Sequence, residues 1–418
     1  MIFNIKYLLF LIVGFITILG MAQKVGEPYL FEVELTKEVE AEKFEIQVPE
    51  NRSNPDSRKI TLGFVLLRSY SDTPGTPIMY LAGGPGGSGT RAMKGQRWLL
   101  FDALREVADV IIFDQRGTGL SDDLPRCEAS VGIPADTATT RSNYIRWHQA
   151  AAKECLAFWE NRGIDIRGYT TKESAADIEA VRQELDVEKL SLLGISYGTH
   201  LALATLKYYP ESIDRLVLAS AEGLDHTVKL PSHTDVYFDR LQKVIDQNPE
   251  SEALYPDVKK LIQSVLEKVE KDPVYLLVDD DPEFYHTLGK FEMQRITSYM
   301  ISDPKYVPSL LGGYREAAEG NYRWFQNYLD WYVGDNSISF NGMALAMDLA
   351  SGITEERLGQ VKAEAETALL GDATNFPMPH LRGVIDGIDL GEDFRSPFES
   401  DRPTLILSGT LDGHTYPA

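Results

Sequence analysis

Gly194-Ile195-Ser196-Tyr197-Gly198 is a GxSxG pattern that follows the apolar run LSLLGI (190–195) and opens the helical run THLALATLKYYP (199–210). A serine at the apex of a tight strand-to-helix turn has its hydroxyl exposed for nucleophilic attack, and glycines two residues before and after leave room for the strained backbone. The helix N-terminus adds partial positive charge that favours a developing oxyanion. Ser196 is therefore the candidate nucleophile. Ala82-Gly83-Gly84-Pro85-Gly86-Gly87-Ser88-Gly89 follows a second apolar run, PIMYLAG (77–83). A loop so rich in glycine turns backbone N–H groups into a cavity and, with the residue after the serine, can build an oxyanion hole. A phosphate loop is the competing reading, but no Lys-Ser/Thr pair follows at the spacing it needs.

Asp412, in Gly409-Thr410-Leu411-Asp412, stands just past the late strand PTLILSG (403–409), where the acid of a Ser–Asp–His relay belongs in chain order. A turn aspartate is the plainer alternative. Asp114 and Arg116, in DQRGTGLS (114–121), precede the serine and read as ties for the loop beside the glycine-rich segment.

These sites need a scaffold. FEVEL (31–35), KFEIQV (43–48) and KITLGFVLLRSY (59–70) read as an antiparallel entry to a sheet. The continuous apolar runs 77–83, 107–114 and 190–195 suit strands buried on both faces. With the amphipathic helix 170–186 and the strand RLVLAS (215–220), they imply an α/β architecture: a mostly parallel sheet with helices on both faces. From 226 to 398 helical patterns dominate, which predicts a helical cap inserted over the sheet. Residues 399–418 return to the core. The expected division is thus 1–22, 23–225, 226–398 and 399–418.

Residues 1–22 carry Lys6 and a 16-residue apolar run ending in small residues, which predicts a cleaved signal peptide and a secreted or periplasmic protein. The run is shorter than the roughly 20 residues that span a bilayer, so stable membrane insertion after cleavage is not expected. The net charge of −22 repels phosphate backbones and argues against nucleic acid as a partner. Two cysteines, Cys127 and Cys155, in an exported chain suggest a disulfide worth about 3 kcal/mol; two buried thiols or a metal pair are the rival readings. No metal or organic cofactor is implied.

Taken together, GGPGGSG, DQRGTGLSD, GISYGTH and SGTLDGHT resemble, in order and spacing, the proline iminopeptidase and tripeptidyl aminopeptidase group of α/β-hydrolases. The resemblance runs from about residue 40 to the end. It implies Ser196 as nucleophile, Asp412 as triad acid, and Gly84 and Tyr197 as oxyanion donors. Cys127 and Cys155 fall where secreted members resemble one another in carrying cysteines. Two departures stand out. Ala82 replaces the usual histidine before the glycine-rich loop, so that loop must be supported differently. The family's catalytic histidine lies tens of residues after the acid, so the expectation is that the last part of the core, with that histidine, is absent from this sequence. His200 reads as core packing, and His414 as too close to Asp412 to bridge it to Ser196.

The resemblance implies an exported aminopeptidase of prolyl or tripeptidyl type acting on small peptides. An esterase or other small-molecule hydrolase is the alternative, and a non-catalytic binding module is the third reading. An aminopeptidase needs a carboxylate for the free amine. Glu222, directly after the strand RLVLAS, is the first candidate; Asp225 and Asp348 are weaker ones. Tyr314, Tyr322, Trp324, Phe325, Tyr328, Trp331 and Tyr332 either pack the cap or form an apolar lid.

Overall fold

The computed structural model describes residues 25–415 apart from 34–35, 96, 279–280 and 333–336. The expected signal segment, and the side chains of Trp331 and Tyr332, lie outside the described residues. Its strands are β1 (Glu27–Val33), β2 (Thr36–Pro49), β3 (Lys59–Leu67), β4 (Gly75–Leu81), β5 (Ala108–Phe113), β6 (Cys127–Gly132), β7 (Leu190–Ile195), β8 (Ile213–Ala219), β9 (Val274–Val278), β10 (Asp281–Leu288), β11 (Ser337–Phe340) and β12 (Thr404–Leu407).

Eight of them form one sheet in the order β1-β2-β3-β5-β4-β7-β8-β12. The β1-β2-β3-β5 pairings are antiparallel, and every pairing from β5 to β12 is parallel. The order follows from composition. β5 is buried at all six positions, because helices cover both faces of the sheet there. β12 sits at the edge beside β8, and its Leu405, Ile406 and Leu407 are exposed.

The expected cap, 226–398, divides into two parts. Residues from Tyr237 to Leu329, with Leu370, enclose a second hydrophobic core of their own. Tyr314 and Phe325 are fully buried in it with ring centroids 5.3 Å apart, and Tyr322 belongs to the same core. Trp324 and Tyr328 pack against it, so the described aromatics serve packing. Residues Ile338–Ala350 and Met378–Ile388 instead contribute to the main core beneath the sheet. The segment is also not wholly helical. β9 and β10 form a hairpin, and β11 pairs with β6 across some two hundred residues of sequence.

Cys127, on β6, and Cys155, on the helix Arg141–Glu160, are joined in a disulfide. No described helix is long and apolar enough to cross a membrane.

Candidate active site

Ser196 occupies the turn between β7 and the helix Tyr197–Tyr208 with φ 55° and ψ −127°. A non-glycine residue there costs on the order of 1–3 kcal/mol, which the surrounding structure must hold. It does so by close packing of backbone. A Cβ on Gly194 would stand 2.5 Å from the Gly198 oxygen, and one on Gly198 would stand 2.1 Å from the Leu81 oxygen. Only glycine lets the strand, the turn and β4 approach so closely. Thr199 locks the turn further: its Oγ1 donates to the Ser196 oxygen (2.7 Å) and accepts from the Glu222 N–H (2.8 Å).

The glycine-rich loop lies against this elbow. A Cβ on Gly83 would meet the Ile195 oxygen at 2.7 Å and the Ser196 Cβ at 3.0 Å. Gly84, with φ 130°, and Tyr197 both line the cavity that contains Ser196. Tyr197 is the first residue of its helix, where backbone N–H groups have no acceptor within the helix. Its side chain is buried on the other side, where the hydroxyl meets Thr171 (2.9 Å) and Met347 (2.7 Å). Burial pushes that hydroxyl well above the usual tyrosine range.

At Ala82, where the resemblance implies a histidine, support comes from the DQRGTG loop. Gln115 Nε2 donates to the Ala82 oxygen at 3.0 Å. Asp114, fully buried, accepts from Ser88 Oγ (2.8 Å), Thr90 N (3.1 Å), Thr90 Oγ1 (2.5 Å) and Leu120 N (2.9 Å). Arg116 pairs in bidentate fashion with Asp177 (2.7 Å for both bonds).

Asp412 reaches the loop after β8. Its carboxylate accepts from Ser220 Oγ (2.8 Å), His414 N (2.9 Å), Thr415 N (2.8 Å) and Thr415 Oγ1 (2.5 Å). Among the described residues no histidine ring bonds to it. His414 meets Asp412 through its backbone. Its ring is buried at the Ser196 cavity, with Nε2 lacking a hydrogen-bond partner, and burial followed by the nearby Lys229 charge lowers its basicity. His200 is fully buried behind the elbow, held by Gly223 O (3.1 Å) and Ser351 Oγ (3.0 Å).

The cavity at Ser196 measures about 170 Å³ and has two carboxyl groups in its wall, Glu222 and Asp348. They differ in what they already hold. Glu222 forms an ion pair with Lys229, itself fixed to the His226 oxygen (2.8 Å). Glu222 thus stands in the cavity wall with its carboxylate already paired to Lys229. Asp225 is likewise engaged, capping the chain at Thr354 through N (3.2 Å) and Oγ1 (3.0 Å).

Asp348 lies on the helix Gly342–Ser351 and accepts no hydrogen bond from the described residues. Enclosure by protein, with the Glu222 charge adding to it, raises its carboxyl to about 7. The helix is held in place by the Tyr197–Met347 and His200–Ser351 contacts, so Asp348 is presented by the same packing that buries the elbow helix. The sequence signal for it was a single acid in the otherwise apolar run GMALAMDLAS.

A model of the alpha/beta hydrolase fold matches residues 76–413, which contain the glycine-rich loop, Ser196, Glu222, Asp348 and Asp412. The chain belongs to the α/β-hydrolase family. Similar curated proteins include a tripeptidyl aminopeptidase of Streptomyces lividans, 26% identical over 228 residues that cover 51% of this chain and 39% of that enzyme. The serine protease Hip1 of Mycobacterium tuberculosis is 27% identical over 182 residues, covering 42% of this chain and 35% of its own. The matches thus span less than half the length of these relatives. Among solved structures, the proline iminopeptidase-related protein of Thermus thermophilus covers 90% of this chain and 83% of its own, at 18% identity and a TM-score of 0.34. This α/β-hydrolase is a hydrolase whose named relatives include peptidases.

Proposed function

We propose that the protein is an exported serine aminopeptidase that cleaves short peptides next to a free amino terminus through an acyl-enzyme. The observation that carries this reading is the carboxyl of Asp348, enclosed in the wall of the Ser196 cavity without a hydrogen-bond donor. A half-buried carboxyl that faces the cavity and is bonded to no described group of the chain is open to a ligand ammonium. The peptidase names of the relatives agree with this reading, and the Cys127–Cys155 disulfide agrees with an oxidising compartment.

In the proposed reaction Ser196 Oγ attacks the scissile carbonyl carbon and gives up its proton to a base. The carbonyl oxygen becomes an oxyanion held by the N–H groups of Gly84 and Tyr197. Collapse breaks the C–N bond, the leaving amine takes the proton, and water then releases the acyl group from Ser196. Asp412 is the acid that would orient the base.

The test is labelling by a fluorophosphonate with mass-spectrometric mapping, joined to calorimetry on Ser196→Ala. Labelling at Ser196, and tighter binding of Phe-Ala amide than of its N-acetyl form, are expected. Absence of the label, or equal affinity for both ligands, would overturn the reading.

A further inference from the structure

A second cavity of about 370 Å³ adjoins the one at Ser196. Asp348, Pro377 and Met378 line both. Asn341, in the wall of the second, lies against the glycine-rich loop: a Cβ on Gly86 would stand 3.2 Å from its Nδ2. The larger chamber therefore adjoins the reaction site, with the Asp348 carboxyl in the wall the two share.

Alone, the Ser196 cavity is smaller than the roughly 300–1,000 Å³ of ordinary ligand sites; with the second chamber the site falls inside that range. At about 30 Å³ per water, the second chamber has room for about a dozen waters' worth of ligand. That is enough for one large side chain, or for two further small residues, so volume does not decide between them. The walls and charges do. Tyr144, Ile296, Phe340, Leu345 and Met378 give the chamber apolar and aromatic surface. His148 in its wall is held uncharged at neutral pH, burial lowering it to about 4.

Arg126 in the chamber wall is bonded to Ser339, and Arg295 is fixed to the oxygens of Ala373 (2.8 Å) and Phe376 (3.0 Å). Glu292 bonds His286 through Oε1 (2.7 Å), and its Oε2 is buried with no partner among the described residues. Away from Asp348 the chamber thus sets one carboxylate against two guanidinium groups. An ammonium is better placed at Asp348, which also lines the Ser196 cavity.

Resting on the aminopeptidase reading, we infer that the second chamber is the pocket for the side chain of the N-terminal residue, and that it selects a bulky aromatic or long apolar side chain. The α-amine stays at Asp348 and a single residue is released. Proline and glycine leave the chamber largely unfilled.

The test is calorimetry on the full chain carrying Ser196→Ala, with dipeptide amides X-Ala. Phe-Ala amide should bind at least about tenfold more tightly than Gly-Ala or Pro-Ala amide, since one well-buried aromatic side chain contributes that much. Ala344, in the chamber wall, allows graded filling. Ala344→Leu should weaken Phe-Ala amide by several-fold and Ala344→Phe by at least about tenfold, with Gly-Ala amide unchanged. The unchanged glycine ligand also reports that each variant is folded. A flat series across X would overturn the inference. So would tighter binding of Ala-Ala-Ala amide than of Phe-Ala amide, which would make the chamber a site for further residues. N-acetyl-Phe-Ala amide keeps the two readings apart: if it binds as well as the free amine, the aminopeptidase reading fails while the side-chain preference is still measured.

Discussion

Asp114, bonded to the glycine-rich loop, and Asp348, in the wall of the Ser196 cavity, are built in opposite ways. Asp114 accepts four hydrogen bonds and fastens the oxyanion loop to its neighbour. Asp348 accepts none and faces a cavity. A buried carboxylate with its lone pairs filled is part of the frame, because every donor is supplied by the chain itself. One left unfilled raises the free energy of the empty protein and becomes favourable only when something else supplies the donor. Number of partners, more than burial, separates scaffold from site here.

The contrast is broken most severely at Asp114. Asp114→Asn puts an amide N–H₂ among donors, and we expect a loss of about 2–4 kcal/mol, read from the urea midpoint. A shift under about 0.5 kcal/mol would show that the four bonds are not needed.

Asp348→Asn should do the reverse. The folded carboxyl titrates near 7 against an ordinary 3.8. Between those values the folded chain keeps a proton that the unfolded chain has lost. Stability therefore falls as pH rises through that window and levels off above it. The asparagine variant escapes this penalty and should be more stable by ~1–3 kcal/mol at pH 8, while free-amine ligands bind ~10–100-fold more weakly. Lower stability and unchanged affinity together would place Asp348 with Asp114 as frame.

A pH series sharpens the point. Affinity for Phe-Ala amide should rise as pH passes about 7 and Asp348 ionises, then decline as the ligand amine deprotonates near ~8. The smallest effect is expected at Glu222, whose charge helps to hold Asp348 up while Lys229 opposes it. Glu222→Gln should move the rising limb to lower pH by up to roughly one unit. An unmoved limb would mean the two carboxyls do not communicate.

The sheet and the elbow were legible in sequence because both are local. Apolar runs such as 107–114 announce a strand buried on two faces, and GISYG between a strand and a helix announces the turn. The chemistry of Asp348 was not legible, since an acid in GMALAMDLAS acquires meaning only when Met347 and Ser351 dock that helix onto Tyr197 and His200. Glu222 looked better placed, and stands at the cavity, but the ion pair with Lys229 depends on how the loop after β8 folds back. The strands within 226–398 were not legible for the same reason. β11 finds β6 across a long stretch of chain, a contact no local periodicity carries.

The Cys127–Cys155 bridge has a bearing on how much of this architecture survives without an oxidising milieu. It ties β6, the partner of β11, to the helix Arg141–Glu160. Replacing both cysteines by alanine should therefore cost about 2–4 kcal/mol, read from the urea midpoint. A midpoint left where it was would show that packing alone closes that loop.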